Sequence, residues 1–367
     1  MLDWIVEKED VWQRLQRCDK PVILYGMGDG AVKILQVMQR YSIRPAAMFA
    51  SDDFARGNLF MGYKVEKLRD IRERFDDFIV VMAFAVRDVP TVERIYTLSK
   101  EIELVAPDVP VAGVNLFTLD FVREHQAQLQ QVEAMLADEQ SKKVLHNIVN
   151  FKLSGKLDYL MDCQTPVEEA YQKILRPTAF EHFADLGAYR GDTVAELLHY
   201  AGGCERVFAF EPDAKTYKKL CLAIEQMGLT QRATCVQMAA FSHEEMLEFD
   251  SRGGRQSALK EETLTTGVVG AAKSKIQLVQ GQSLDNLVGE ETVSLINMDV
   301  EGAERQALEG CRKIIARDRP KMLIAAYHRS EDLFAIPLQI ASMRPDYRFF
   351  LRHYRYIPAW DTNLYCI

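Results

Sequence analysis

His182-Phe183-Ala184-Asp185-Leu186-Gly187-Ala188-Tyr189-Arg190-Gly191-Asp192-Thr193 reads as an apolar strand, a glycine-bearing turn and the start of a helix. Gly187 and Gly191 let the backbone turn tightly and come close to a ligand, where a Cβ would intrude. Thr193 is placed to cap the helix that follows. Asp185, at the strand end, can accept from the amino group of a ligand. One strand later comes Val207-Phe208-Ala209-Phe210-Glu211-Pro212-Asp213. Glu211 lies about 20 residues past the turn, where nucleotide-binding α/β folds keep an acidic side chain for ribose hydroxyls. The pairing of turn and carboxylate points to an adenosine-containing ligand.

Outward from this stretch, strands alternate with helices to the end of the chain. They are expected at 181–186, 206–210, 234–240, 293–298 and 322–327, with late strands near 347–354 and 363–367. Such alternation builds a mostly parallel sheet with helices on its faces. A polar insertion from Ser242 to Gly281 interrupts it and is expected to form hairpins and loops at the acceptor side, where Arg252, Arg255 and Gln256 offer donors. Upstream, residues 115–175 carry no strand signal. Val122, Leu129, Val132, Leu136, Val144, Leu145, Ile148 and Val149 recur there at near-helical spacing, so a helical connector is expected. Further upstream the alternation returns. Val22–Tyr25 runs into Gly26-Met27-Gly28-Asp29-Gly30-Ala31, a second strand at Ala46–Phe49 ends at Asp52 and Asp53, and Phe78–Ala83 reads as a third, fully buried strand. Gly26, Gly28, Ala31 and Asp52 thus outline a nucleotide fingerprint that suits a nucleotide-sugar or a purely structural turn. The expected division is a small Rossmann-like α/β unit at 1–114, the connector at 115–175 and a larger Rossmann-like α/β unit at 176–367, with a mostly parallel seven-stranded sheet.

The third element of the larger unit is Leu295-Ile296-Asn297-Met298-Asp299-Val300-Glu301-Gly302-Ala303-Glu304. Glu301 and Glu304 have a structural explanation, because acidic groups are favourable at a helix N-terminus. Asp299 stands at the carboxyl end of a strand, where open α/β sheets place their ligands. The series Asp185–Thr193, Phe210–Asp213, Ser283–Leu287 and Met298–Glu304, with Pro320–Ile324 leading to Tyr327 and His328, resembles the FkbM-type family of S-adenosylmethionine-dependent methyltransferases over about residues 140 to 367. It departs at Tyr189, where the family often has Asn, and at Ala326, where an acidic residue is common. The resemblance implies a class I methyltransferase fold and methylation of a hydroxyl, on a carbohydrate, glycoconjugate or secondary-metabolite precursor. It places Asp185, Gly187, Ala188 and Gly191 around the methionine part of the cofactor, Glu211 on the ribose, and Asp299 between cofactor and acceptor. An alcohol is a poor nucleophile while protonated. His328 is the expected base, with Asp299 as orienter or alternative base and Glu301 near the acceptor. No metal is assigned; a divalent ion held by Asp299 with Glu301 or Glu304 is the alternative scheme.

Composition limits the remaining classes. The net charge of -8 excludes a broad grip on nucleic acid, which needs clustered Lys and Arg. No apolar run reaches the roughly 20 residues of a membrane span, and the first residues lack a secretory pattern. The 7 cysteines are scattered without a C-x-x-C pair, as suits reduced thiols and a cytoplasmic protein. Partners are expected to be a small-molecule or glycan acceptor, with an oligomer left open. Two rival readings remain: a nicotinamide-dependent sugar-nucleotide dehydrogenase or epimerase using the first glycine turn, and a non-catalytic nucleotide-binding scaffold.

Overall fold

The structure is a computed structural model that describes residues 2–250, 258–260, 263–264 and 275–367. Arg252, Arg255 and Gln256 lie outside the described residues. The first strands are β1 (Val22–Tyr25), β2 (Ala47–Phe49), β3 (Leu59–Phe60), β4 (Tyr63–Glu66), β5 (Ile79–Met82) and β6 (Glu103–Val105), in the order β3-β4-β2-β1-β5-β6. All neighbours are parallel except the β3–β4 hairpin. The continuous apolar runs of β1 and β5 are buried at every position, as strands covered on both faces must be. This sheet is wider than the three strands legible in sequence. β3, β4 and β6 are short, and β3 at the sheet edge and β4 beside it are only partly buried, so they carry little apolar signal.

The second α/β unit contains β7 (His182–Leu186), β8 (Arg206–Phe210) and β9 (Ala233–Val236), then β10 (Ala239–Ala240), β11 (Glu245–Asp250), β12 (Ala258–Leu259) and β13 (Ile276–Gln282), and finally β14 (Leu295–Met298), β15 (Lys321–Ala325), β16 (Phe349–His353) and β17 (Thr362–Cys366). Its seven-stranded sheet has the order β16-β17-β15-β14-β7-β8-β9. The strands from β9 to β15 run parallel, and β17 is antiparallel to both β15 and β16, so the sheet is mixed. The strand expected at 234–240 is two strands. β9 stays in the large sheet, whereas β10 leaves it and pairs with β13 in a four-stranded sheet, β10-β13-β11-β12, built from the insertion. The described strands of the insertion thus satisfy backbone polar groups by pairing with one another.

Between the units run helices Leu119–Glu124, Gln126–Met135, Glu139–Ser154 and Leu157–Cys163, then a π-helical turn at Ala170–Leu175. Asp138 caps Glu139–Ser154 and also accepts from Arg352 of β16 at 2.7 Å, which ties the connector to the second sheet. Its other end is tied to the first unit: Lys152 and Asp108, both buried, pair at 2.7 Å. Val80 of β5, Ile148 of the connector and Ile296 of β14 share one continuous apolar core. Each unit also keeps a core of its own, around Leu24 and Val81 in the first and around Val207 and Leu220 in the second, while the connector joins their other apolar layers. Among the described residues no helix is long and apolar enough to cross a membrane.

Candidate active site

A cavity of about 550 Å³ opens at the carboxyl ends of β7, β8, β14 and β15. Gly187, Tyr189, Thr193 and Glu211 form one side of it. Gly187 has φ +89, and a Cβ there would come within 1.9 Å of the Asp299 carbonyl oxygen. The glycine is thus required by the close approach of two protein loops. Tyr189 also has a positive φ, 47°, a conformation that Asn tolerates better than Tyr. The helix after the turn starts at Asp192 with Gly191 as its N-cap, not Thr193, whose side chain faces the cavity instead. Ala188 and Gly191 are buried behind the wall.

Glu211 lines the cavity and accepts from the Asp213 backbone N–H at 2.8 Å. Burial pushes its carboxyl up to about 7. Asp185 is fully buried behind Asn297, whose Nδ2 donates to it at 2.8 Å; burial raises Asp185 to about 7 as well. Asn297, not Asp185, reaches the cavity surface.

The opposite side carries the charged cluster. His328 is 1% exposed. Its Nδ1 lies 2.9 Å from Glu304 Oε1, and its Nε2 lies 3.3 Å from Asp299 Oδ1 and 3.6 Å from Glu301 Oε2. Burial alone would lower the histidine, but Glu304, Glu301 and Asp299 together carry it up to about 10. His328 is therefore an imidazolium at neutral pH, held by these three carboxylates. Glu304 is itself fixed: the backbone N–H groups of Val300 and Gly302 donate to Oε1, while Oε2 is buried with no partner among the described residues. Burial favours a protonated Glu304, and the imidazolium together with these donors outweighs it and lowers the carboxyl. Asp299 is raised, by burial first and by Glu304. Its side chain nevertheless keeps 45% exposure because it faces the open cavity, and Tyr327 donates to it at 3.4 Å. Single donor atoms of Asp299, Glu304 and His328 lie within 4.8 Å of one another, a spacing that can hold a cation as well as a proton.

These loops come together as the sequence motifs implied, and residues 185–358 match the family model of the methyltransferase FkbM domain. The second α/β unit is an FkbM methyltransferase domain. Across 99% of this chain and 92% of its own, the crystal structure of methyltransferase FkbM from Methylobacillus flagellatus KT superposes with a TM-score of 0.72 at 21% identity, so the likeness in fold extends to the first unit. An rRNA methylase from Streptococcus thermophilus (13% identity, TM-score 0.35, 55% of this chain and 96% of that one) is a distant likeness. So is Aeropyrum pernix fibrillarin with natively bound S-adenosyl-L-methionine (14%, 0.33, 55% and 72%). No curated protein matches the sequence significantly.

Sequence reading missed Glu304 as a partner of His328, because its place at a helix start already explained it. It also missed Asn297 and the aromatic wall formed by Tyr354, Tyr356 and Trp360. From the insertion, Phe249 and Leu259 line the same cavity. Gly26, Gly28, Ala31 and Asp52 lie outside that cavity. A Cβ on Gly26 would meet Phe84 at 2.6 Å, Gly28 is the N-cap of helix Asp29–Arg40, Ala31 is buried, and Asp52 is exposed, 4.0 Å from Lys67.

Proposed function

We propose that the protein moves the methyl group of S-adenosylmethionine to a hydroxyl oxygen of a carbohydrate, glycoconjugate or secondary-metabolite precursor in the cytoplasm. The reading rests on the oriented His328–Glu304 pair, with Asp299, in the wall of the cavity that also holds Glu211 and the Gly187 turn. Glu211 takes the ribose hydroxyls, and Asn297, backed by Asp185, faces the methionine portion. The carboxylates of Asp299 and Glu301 favour a sulfonium cation. That cation in turn lowers the affinity of His328 for its proton. The acceptor oxygen attacks the methyl carbon in line, the O–CH3 bond forms as the S–CH3 bond breaks, the hydroxyl proton passes to His328 Nε2, and S-adenosylhomocysteine leaves. Glu304 keeps Nδ1 as the donor side, so that the lone pair of Nε2 faces the acceptor. Alignment of two bound reactants supplies much of the acceleration.

Calorimetry with S-adenosylhomocysteine tests the cofactor site. Wild type is expected to bind, and Glu211→Ala to bind about 1.5–3 kcal/mol more weakly, the range for hydrogen bonds to a charged group. Equal affinities in the two proteins would place the adenosine elsewhere.

A further inference from the structure

The cavity is not built by the methyltransferase domain alone. Arg87 and Val111, both from the first α/β unit, belong to its wall. They follow β5 and β6, at the edge where α/β sheets bind ligands. Backbone pairing fixes their place. Val86 and Ile357 exchange hydrogen bonds of 2.8 and 2.9 Å, an antiparallel bridge whose register sets Arg87 across from Tyr356. Val111 and Ala112 donate their N–H groups to the His328 carbonyl at 2.9 and 3.0 Å.

The charge of this wall is uneven. Asp192, Glu196, Glu211, Asp299, Glu301 and Asp361 make most of the charged lining acidic, which suits a cationic cofactor. Arg87 is exposed and has no carboxylate partner among the described residues. Its neighbour Asp88 is spent as a helix cap, accepting from Thr91 N–H at 3.0 Å. Beside it, Tyr356 and Trp360 stand with ring centroids 5.7 Å apart, and Trp360 Nε1 is buried with no hydrogen-bond partner among the described residues. A guanidinium without a carboxylate partner among the described residues thus stands beside two aromatic rings in a wall whose other charged groups, His328 apart, are acidic, Asp361 among them.

We propose that Arg87 is a specificity-determining residue and that the acceptor is a hydroxylated molecule carrying a carboxylate or phosphate, which Arg87 binds while the hydroxyl lies at Asp299 and His328. This rests on the methyl-transfer reading above. The planar fork of arginine suits both anions, and a ring of the acceptor can stack on Tyr356 or Trp360. The first unit thus selects the acceptor for chemistry carried by the second.

The test uses full-length protein saturated with S-adenosylhomocysteine and titrated with p-nitrophenyl β-D-glucuronide, the matching glucoside, and glucose 6-phosphate. At least one of the two acids should bind about 10- to 100-fold tighter than the neutral glucoside, the scale of a hydrogen bond to a charged group. Arg87→Ala should erase the preference and Arg87→Lys restore part of it, because the charge remains and the fork does not. Cofactor affinity and melting temperature should not move, since the side chain is exposed. The arm that responds tells carboxylate from phosphate. Equal binding of acid and glucoside, failure of both acids to bind, or a preference that survives Arg87→Ala would each overturn the proposal while leaving methyl transfer intact. Failure of S-adenosylhomocysteine to bind wild type would remove both.

Discussion

If His328 takes the hydroxyl proton, the rate must follow its neutral form, and the structure says where that form appears. The rise from 6.5 to about 10 corresponds to roughly 5 kcal/mol of net preference for the imidazolium, set by three carboxylates against burial. In the ligand-free protein at pH 7.5, roughly one molecule in 300 would hold a neutral His328. kcat/KM for S-adenosylmethionine, which reports the free enzyme, should therefore climb about tenfold per pH unit from neutrality and level off near pH 10. The limb in kcat should lie at lower pH, because the bound sulfonium opposes the proton. Glu304→Gln removes the largest favourable charge and should shift both limbs towards acid. His328→Ala should lower kcat by about 10²–10⁴, the usual range for a positioned base, and flatten the profile. Initial rates with labelled cofactor between pH 6 and 10, on protein shown to stay folded, decide the matter. A profile flat above pH 7 with a fully active His328→Ala variant would refute the assignment and leave Asp299 as the better-placed acceptor.

Two other outcomes concern stability. Asp108→Ala should cost about 3–5 kcal/mol in urea unfolding, because it strands the buried Lys152 ammonium, and adding Lys152→Met should recover much of the loss. The melting temperature of the ligand-free protein should be higher at pH 6 than at pH 9. Asp185 and Glu211 are raised to about 7 and His328 to about 10, so the folded state binds protons more tightly than the unfolded one, and that stabilisation is lost as pH rises through these values. A calorimetric trend of the opposite sign would show that other groups dominate the linkage.

The methyltransferase half was legible because its motifs lie at strand ends. An apolar run such as Phe183–Leu186 marks a buried strand, and the polar residue that ends it must lie near the ligand edge. Glu211, Asp299 and His328 were found in this way. Glu304 was not, since one carboxylate can satisfy a helix start and a histidine at once, and only geometry shows the second contact. Asp185 was read as a strand-end contact to the ligand, but it lies on β7 beside Asn297 of β14, and only geometry shows that Asn297 is the one at the cavity. The division of 234–240 between two sheets was hidden because Ala239 and Ala240 are as buried as any strand residue, and burial does not name the partner strand. Arg87 carries no motif at all. Its meaning comes from a loop of another unit, more than 200 residues away along the chain, that it faces through the Val86–Ile357 bridge.

The same loops explain what the first glycine turn achieves. A turn such as Gly26–Ala31 ordinarily frees a helix N-terminus for phosphate. Here the first turn of that helix carries Asp29, whose charge disfavours an anion at that end. One turn later Lys33, nearly buried, donates to the carbonyls of Pro110 and Val111 at 3.1 and 3.0 Å. Those residues continue into the amides that grip the His328 carbonyl, and Ala112 packs so closely on Gly302 that a Cβ there would lie 2.3 Å away. The tight turn brings the Lys33 helix against the carboxyl edge of its own sheet, and the lysine holds that edge against the second site. The ligand-binding edges of two α/β sheets thus meet over a single cavity. The first contributes Arg87 and Val111 to the wall, and one apolar layer of each unit runs on into the other through the connector.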